Sequence, residues 1–482
     1  MSWSVRVVPN RYADSVRLMS LARTLRSRDG VRGCEVAMGT PANLAELHRL
    51  GADVDASGGD LVIAVDAADA EGVLAEAERE LAAAAPAGDA TAAAAVRPRS
   101  LDEAMRGPGP QPPPNIALVS VPGEYAVLEA HRALSRGMHV FLFSDHVDLA
   151  DEIELKRRAD RLGLLVMGPG CGTAMLGGVG LGFANVVRPG GVGIVAAAGT
   201  GAQEVACLID AAGGGVSHIV GVGGRDLSHD VGGLMFRAGM AMLDGDAGTE
   251  TLLLVSKPPA PVVARSLADA VPPGRRVVAA FVGWDGGEAP FEVHSTLEGG
   301  ALAAVGAEVP PPGELRARVL AGRQRSAGRP VVGLYSGGSL AHEAAMILER
   351  ELGPVAGNVG HGDGPGHAVH DLGEEEYTRG RPHPMVDLDV RVEMLRELVR
   401  SDAAGCVLLD VVLGHGSHPD PATELAEAVA AAARGATVIA RVCGTPADPQ
   451  DAGRQATTLR DAGALVAPSN AAAARLAVEA VR

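Results

Sequence analysis

Short apolar runs alternate with amphipathic stretches along most of this chain. The runs are rich in Val, Ile, Leu and Ala, as in Thr251–Val255, and the stretches between them carry apolar residues at helical spacing. Buried strands of a parallel sheet read as continuous apolar runs, and the connections between them are helices. The pattern predicts an α/β protein built from parallel, doubly wound sheets.

One strand-turn-helix motif within this pattern occurs twice. In each copy an apolar strand ends in a glycine-rich turn, and a helix begins with G-[TS]-x-A-x-E. The first copy starts at Gly199-Thr200-Gly201 and carries Glu204, and the second starts at Gly338-Ser339 and carries Glu343. Free N–H groups and the helix dipole favour an anion at such a turn. The repeat predicts two related α/β domains with equivalent anion sites, unless both copies are ordinary strand-to-helix turns.

The order of elements predicts four domains separated by two linkers. Residues 1–84 read βαβαβα, which suggests a small α/β module, ferredoxin-like in kind. Alanine- and proline-rich composition indicates the linkers. The predicted segments are the small module at 1–84, a linker at 85–114, a doubly wound domain at 115–187, the first repeat-bearing domain at 188–307, a linker at 308–329 and the second repeat-bearing domain at 330–482.

Glycine-rich turns follow further predicted strands. In open parallel sheets, ligands bind beyond the carboxyl ends of the strands, where these turns lie. Lys257 follows another strand, as a solvated end charge or as a ligand. Cys171 is either a thiol whose pKa the turn lowers or a small buried residue. No GxGxxG occurs, which disfavours a nicotinamide dinucleotide site. The candidate binding residues in these turns are Gly168, Gly170, Cys171, Gly223 and Arg225.

Histidines crowd the loops of the last domain. Histidine and carboxylate are common metal ligands, but the spacing matches no zinc signature, and we expect no metal. Positioning an acidic substrate, moving a proton and structural hydrogen bonding remain open as alternatives. The residues concerned are His361, His367, His370, His383, His415 and His418, with Asp363 and Asp371 among them.

Four residues are candidates for catalysis. Arg381 and His383, held by the flanking prolines of Arg-Pro-His-Pro, are suited to gripping a substrate carboxylate, because a guanidinium can bind it bidentately. A rigid structural turn is the alternative for this pair. Glu204 and Glu343 lie in the first turns of their helices, where capping competes with orienting a reacting group.

Composition restricts the classes of binding partner and the cellular compartment that we expect. The 482 residues carry 42 Lys and Arg against 59 Asp and Glu, a net charge of −17, which disfavours nucleic acid or an anionic membrane as partner. Five scattered cysteines without a CxxC pair indicate a reduced, cytoplasmic protein. No segment resembles a signal peptide or reaches the ~18 apolar residues of a membrane span.

Several motifs carry a resemblance to a known family. Gly168–Thr173 followed by Gly191–Gly201 is similar to the junction between the CoA-binding and first ligase domains of the succinyl-CoA synthetase α chain. The chain more closely resembles the FdrA family. The motifs are Gly39-Thr-Pro-Ala-Asn43, Val121-Pro-Gly-Glu-Tyr-Ala126, Phe143-Ser-Asp145, Asp151-Glu-Ile-Glu-Leu-Lys156, Gly223-Gly-Arg-Asp-Leu-Ser228 and Gly380-Arg-Pro-His-Pro-Met385.

The resemblance implies a fold and an activity. It implies a Rossmann-like CoA-binding-type domain followed by two flavodoxin-like, succinyl-CoA-ligase-type domains. FdrA relatives are associated with allantoin breakdown, as a subunit of an oxamate carbamoyltransferase that makes carbamoyl phosphate from oxalurate. The implied ligands are a small carboxylic acid and phosphate or carbamoyl phosphate. CoA is a further candidate, and we expect other subunits and a homo-oligomer.

One difference from the succinyl-CoA synthetase α chain argues against a complete, nucleotide-driven CoA ligase in this chain. The succinyl-CoA synthetase α chain has a phosphorylated histidine in a Gly-His-Ala-Gly loop, whereas Asp285-Gly-Gly-Glu288 follows Phe281-Val-Gly-Trp284 here. No stretch resembles an ATP-grasp domain. Phosphate-dependent group transfer is therefore favoured over two rivals, an acid–CoA ligase with a nucleotide-binding partner and a non-catalytic CoA- or phosphate-binding scaffold.

Overall fold

A computed structural model describes residues 3–11, 13, 15–26, 28–83, 100–106, 114–284, 289–311, 313–362, 366–378 and 381–482. These residues belong to two compact units. The first unit is Met1–Pro98 with Glu375–Val386, and the second is Arg99–Glu374 with Asp387–Arg482. Helices and strands alternate in both units, so the mixed α/β fold class is confirmed.

The first unit contains a three-stranded antiparallel sheet in the order β1-β3-β2. Because β3 lies between β1 and β2 and runs opposite to both, the β1-α1-β2 connection is a split βαβ unit, as in ferredoxin-like folds. The predicted βαβαβα order is present. Its elements are β1 (Ser4–Val8), α1 (Ser15–Arg26), β2 (Val31–Met38), α2 (Pro41–Arg49), β3 (Leu61–Ala67) and α3 (Ala70–Ala83).

Strand β3 is buried on both faces of this sheet. Leu61, Ile63 and Val65 enter one apolar cluster, while Val62 and Ala64 enter another on the opposite face. Successive side chains of a strand point to opposite faces, so an all-apolar strand can serve two cores at once.

The second unit begins with a small parallel sheet in the order β4-β5-β6. Helices α5 and α6 form the two crossover connections of this sheet. The elements are α4 (Leu101–Arg106), β4 (Ile116–Val119), α5 (Gly123–Leu134), β5 (His139–Leu142), α6 (Leu149–Leu162) and β6 (Val166–Met167).

The next sheet has seven strands in the order β13-β12-β11-β9-β10-β7-β8. Its five parallel strands follow the 2-1-3-4-5 order of flavodoxin-like sheets. The elements are β7 (Thr173–Leu176), β8 (Val179–Gly182), β9 (Pro189–Ala196), α7 (Gly199–Ala211), β10 (Val216–Gly221), α8 (Leu234–Asp244), β11 (Thr251–Ser256), α9 (Pro261–Asp269), β12 (Arg276–Phe281), β13 (Glu292–His294) and α10 (Leu297–Ala304).

This sheet extends across the boundary predicted at residue 188. The hairpin β7–β8 precedes that residue, yet β7 pairs antiparallel with β10 through His218↔Leu176 and Ile219↔Met175. One apolar core also runs from Ala117 to Phe281, through both predicted domains. A glycine-rich hairpin has little apolar periodicity, so only its partner strand reveals its place.

The last sheet is wholly parallel, in the order β15-β14-β16-β17-β18, which is again the 2-1-3-4-5 order. The segment predicted as a linker at 308–329 is largely helical, because α11 lies within it. The elements are α11 (Gly313–Gly322), a 3-10 turn (Arg323–Arg325), β14 (Val331–Tyr335), α12 (Gly338–Leu352), β15 (Ala368–Asp371), α13 (Glu375–Thr378, in the first unit), α14 (Asp389–Ser401), β16 (Cys406–Val412), α15 (Pro421–Ala433), β17 (Thr437–Cys443), α16 (Ala452–Asp461), β18 (Leu465–Ala467) and α17 (Asn470–Val481).

A short connecting segment binds the two flavodoxin-like domains together. The Asn185 amide donates to the Leu413 carbonyl at 3.0 Å and to Asp448 Oδ2 at 2.8 Å, and the Val186 N–H donates to Asp448 Oδ1 at 2.7 Å. These buried bonds order the junction beside α7. No helix among the described residues is both long and apolar enough to cross a membrane.

Candidate active site at the paired helix N-termini

The two repeat turns meet in the structure. A Cβ added to Gly337 would lie 2.8 Å from Cβ of Thr200, and one added to Gly201 would lie 3.3 Å from Cβ of Ser339. Each turn follows the strand at its sheet's switch point, where flavodoxin-like sheets bind ligands. The N-cap residues, Ala198 and Gly337, make no side-chain cap, so both helix N-termini are open to an anion.

Glycine is required where the two turns touch. A Cβ on Gly338 would lie 2.4 Å from Oδ2 of Asp371, and one on Gly337 would overlap Thr200. The Asp371 carboxyl therefore lies directly against the beginning of α12. Glycines in such turns allow a close approach that any side chain would prevent.

Asp410 fixes the turn that precedes α12 through hydrogen bonds. Its Oδ1 accepts the Ser336 N–H at 2.8 Å and the Ser336 hydroxyl at 3.0 Å, and its Oδ2 accepts the Gly337 N–H at 2.8 Å. The fully buried Arg391 pairs with Oδ1 at 3.1 Å. A buried carboxylate that accepts several N–H groups and faces a guanidinium fixes the local backbone firmly.

Glu204 and Glu343 occupy equivalent positions, and both are completely buried. Both oxygens of Glu204 accept from Nε of Arg441, at 3.0 and 2.9 Å. Glu343 Oε1 accepts the Leu297 N–H at 2.7 Å. Asn470 joins the pair, because its backbone N–H donates to Glu204 Oε1 at 3.0 Å and its side-chain amide donates to Glu343 Oε2 at 2.8 Å. This network positions the two helices.

Burial changes the charge state of Glu343. It raises the pKa of that carboxyl to about 7, against the opposing hydrogen bonds from Asn470 and Leu297. The nearby carboxylates of Glu204 and Glu298 raise it further. Glu343 is therefore partly protonated near neutral pH, while its repeat counterpart is held beside a guanidinium.

Three titratable groups lie at the edge of the α12 turn. Burial raises the pKa of Asp371 to about 6, and the positive charge of Lys257 opposes that shift. Burial lowers the pKa of His342 to about 4, and Lys257 lowers it further. Lys257 is exposed and forms no hydrogen bond or ion pair with the residues that the structure describes. A free cation therefore stands beside an open helix N-terminus.

The turns at Gly168–Gly170 and Gly223 pack against each other. A Cβ on Gly223 would lie 2.8 Å from the Pro169 carbonyl oxygen, and one on Gly168 would lie 2.3 Å from the Leu142 carbonyl oxygen. The Gly168–Pro169 peptide is cis. Gly170 has φ of 63°, which favours glycine. This set is thus brought together, at an edge formed by β5, β6 and β10.

The side chains of Cys171 and Arg225 contact other residues of the protein at this edge. Burial raises the pKa of the Cys171 thiol to about 12, which is opposite to the activation that its turn suggests. Arg225 Nε pairs with the buried Glu152 at 2.7 Å, and its Nη2 donates to the Val147 carbonyl at 2.7 Å. Lys156, 2.8 Å from both Glu152 and Asp226, completes a buried ion cluster. Arg225 therefore joins α6 to the following domain.

Arg381 and His383 belong to the first unit. Within it, the hydrogen bond from Arg49 lowers the pKa of Glu46, and the charge of Arg381 adds a smaller effect in the same direction. Burial raises the pKa of Glu35, and the charge of Arg381 is a minor opposing effect. His383 Nδ1 accepts the Met385 N–H at 3.2 Å. These neighbours favour the structural alternative for this turn, and its carboxylate grip stays a prediction.

The loop histidines do not converge. His361 pairs with Glu349 at 3.1 Å, His418 pairs with Glu424 at 2.9 Å, and His367 accepts the Val331 N–H at 3.0 Å. Asp363 lies outside the described residues. Across the described parts of the chain, no three His, Cys, Asp or Glu side chains are grouped to hold a metal ion.

Sequence reasoning missed three residues of the site, Asp410, Arg441 and Asn470. A signal existed for two of them, because Asp410 and Arg441 interrupt otherwise apolar strand runs. Charged side chains are almost never fully buried unless they are paired. A lone charge inside such a run therefore indicates a buried partner, but not which one.

A full-length relative identifies the family. The Escherichia coli protein YahF, described as uncharacterized, is 36% identical over 521 aligned positions, covering 99% of this chain and 98% of YahF. This chain belongs to the YahF family. Two family models match it: CoA-ligase at residues 334–480, and the AllF heavy metal-associated domain at residues 1–98.

More distant relatives place the YahF family in a superfamily. The succinate–CoA ligase α subunit of Methanothermobacter thermautotrophicus is 28% identical over 30% of this chain and 48% of its own length. The SauD subunit of the ADP-forming sulfoacetate–CoA ligase of Bilophila wadsworthia is 26% identical over 30% of this chain and 50% of its own. The YahF-family chain is thus an acyl-CoA-ligase-like protein that matches about half the length of those subunits.

The name of the N-terminal family model implies a heavy metal, and the residues do not fit one. Cys34 is the single cysteine among residues 1–98. It is completely buried, and burial raises the pKa of its thiol to about 12. A thiol binds metal as a thiolate, which this environment opposes.

Proposed function

We propose that this protein is a subunit of an enzyme that transfers a carbamoyl group to phosphate, converting oxalurate and phosphate to oxamate and carbamoyl phosphate. The contact between two uncapped helix N-termini, at Gly199-Thr200 and Gly338-Ser339, carries the proposal. The match to an AllF domain and the resemblance to FdrA proteins support a role in ureide breakdown.

The reaction balances without a nucleotide. An oxygen of hydrogen phosphate attacks the ureido carbonyl carbon of oxalurate, and the carbon–nitrogen bond to oxamate breaks. The proton of hydrogen phosphate moves to the departing nitrogen, and the former ureido carbon leaves as carbamoyl phosphate. Chemistry of this kind requires an anion pocket and donors for the developing oxyanion.

The proposed roles follow from the geometry of the paired turns. The first N–H groups of α7 and α12 bind phosphate, as helix N-termini do in other proteins. Lys257 offsets negative charge at the reacting carbonyl. Asp371, whose pKa burial raises to about 6, transfers the proton of hydrogen phosphate to the departing nitrogen. Glu204 and Glu343 position the two helices and do not touch substrate.

Carbamoyl phosphate formation tests the proposal. The protein is assayed with oxalurate and phosphate, alone and with the products of neighbouring genes. Lys257→Ala should lower kcat/KM for phosphate about tenfold, the effect of about 1.4 kcal/mol of lost stabilisation. Arg265→Ala, an exposed change in α9 of the same domain, should leave the rate unchanged.

Activity that requires ATP and CoA would reverse the proposal. If no combination turns over oxalurate, while ATP and CoA restore activity on a small carboxylic acid, the protein is an acid–CoA ligase. The matches to succinate–CoA and sulfoacetate–CoA ligase subunits favour that second candidate. A third outcome, no turnover with either set of substrates, would favour a scaffold.

The residues around α5 fit CoA poorly. A cavity of about 570 Å³ lies beside the beginning of this helix, at Gly123. Three carboxylates, Glu124, Asp148 and Asp151, line it. The phosphates of CoA would meet these negative charges, so the proposed mechanism includes no CoA step. Calorimetry with CoA measures this directly.

A further inference from the structure

A second cavity, of about 660 Å³, lies at the carboxyl edge of the last sheet. It is lined by the ends of β17 and β18, by α11 and by the beginning of α16. None of its lining residues belongs to the turns that begin α7 and α12. The cavity is therefore separate from the proposed phosphate site.

Positive charge dominates the lining of this cavity. Arg318 from α11, Arg441 from β17 and Arg460 from α16 contribute guanidinium groups, against one carboxylate, Glu314. Arg318 and Arg460 are exposed, and within the described part of the chain neither makes a hydrogen bond or an ion pair. Three guanidinium groups around one space attract an anion strongly.

Arg441 is the part of this lining that is built into the fold. Only 8% of the residue is exposed. Its Nε is bound to both oxygens of Glu204, at 3.0 and 2.9 Å. Its two Nη groups make no hydrogen bond with any described residue, although Arg441 lines the cavity. These donors are therefore available to an anion in the cavity, which a planar guanidinium can bind through two N–H groups.

The remaining walls are largely apolar. Pro310, Leu315, Val442, Val466 and Pro468 contribute to them. An inorganic ion would leave these walls in contact with water, whereas an organic molecule would cover them. Ligand pockets commonly combine apolar walls with a few placed polar groups, as this one does.

We propose that this cavity binds a small organic anion, whose phosphate or carboxylate group is held by Arg441, Arg318 and Arg460 while its apolar part covers the walls. This site goes beyond the proposed transfer reaction, because the ligand is not the phosphate that reacts. The guanidinium that holds the anion also holds Glu204, in α7. Occupancy of the cavity is thereby linked to the helix whose N-terminus forms part of the proposed active site.

Calorimetry on the full chain tests the site. Phenyl phosphate and benzoate serve as organic anions with the two head groups, and phenol serves as the uncharged analogue. At least one of the two anions should bind, and the tighter of them identifies the preferred head group. The double variant Arg318→Ala/Arg460→Ala should weaken that binding tenfold or more. Arg434→Ala, which removes an exposed guanidinium at the end of α15, should leave it unchanged.

The same measurement separates this site from the proposed active site. Lys257→Ala should bind the preferred anion as the unmodified protein does, and no oxalurate turnover is needed to see it. Failure of both anions to bind, phenol binding as tightly as either anion, or equal affinity in the double variant and the Arg434 control would overturn the proposal.

Discussion

Replacing Glu343 by Gln tests whether burial sets the charge state of the central network. The folded protein surrounds this carboxyl completely, and burial raises its pKa from 4.5 to about 7. Glutamine keeps the shape of the side chain and cannot ionise. Its amide oxygen can still accept the Leu297 N–H, so the variant retains one of the two hydrogen bonds.

The expected effect is a change in how stability depends on pH. Because the folded protein holds the Glu343 proton more tightly than the unfolded chain, stability is full below the unfolded pKa. It falls as pH rises towards the folded pKa, at about 1.4 kcal/mol per pH unit. Between pH 4.5 and about 7 the loss sums to about 3 kcal/mol. Glu343→Gln should lack this loss, at a pH-independent cost of about 1 kcal/mol for the altered contact with Asn470.

Urea unfolding followed by tryptophan fluorescence measures this difference. The chain has two tryptophans, Trp3 and Trp284. In a Trp3→Phe background, Trp284 reports on the unit that contains Glu343. Stability is measured between pH 4.5 and 8 for the background and for Glu343→Gln. Glu427→Gln, whose parent side chain is 91% exposed, is the matched control and should reproduce the background.

The outcome that would contradict the reasoning is specific. If the curves of the background and Glu343→Gln stay parallel between pH 4.5 and 7, the carboxyl is not protonated on burial. Asn470 and Leu297 would then stabilise the charged form more than burial opposes it.

Three further expectations concern the same unit. Asp410→Asn should cost about 3–5 kcal/mol of stability in urea unfolding, because it leaves the buried Arg391 charge without its partner. Cys171 should stay unmodified by a thiol reagent at pH 8 in the folded protein and react once urea unfolds it, because burial raises its pKa to about 12. Gly337→Ala should abolish phosphate-dependent turnover while the protein stays folded by circular dichroism, because the added Cβ would lie 2.8 Å from Thr200. Full activity in this variant would show that the paired turns do not take part in the reaction.

Local patterns predicted many of the elements. The βαβαβα order predicted for residues 1–84 is present, and the apolar run at Thr251–Val255 forms β11 with one further residue. Elements with weak patterns were missed. The hairpin β7–β8 is short and rich in glycine, and α11 begins after prolines in a segment predicted as a linker. Such segments carry little periodicity, so the partners they pack against decide their structure.

In the candidate site, too, the sequence indicated some of the residues, and only the structure showed their contacts. The repeat indicated Glu204 and Glu343 as equivalent residues, but not what they bind. Arg441 is 237 residues from Glu204 along the chain, and Asn470 is 127 residues from Glu343. Pairing at such separations depends on how the helices and sheets pack, and no local spacing encodes it.

The sequence by itself determined the α/β class, the two repeated strand-turn-helix phrases and the glycines that their turns require. These properties follow from hydrophobic period and backbone conformation, which act over a few residues. Only the tertiary structure brought Thr200 against Gly337, enclosed Glu343 and raised its pKa, and left Arg441 with free donors in a cavity. Contact and burial depend on residues that are distant along the chain, and the shape of the whole unit decides them.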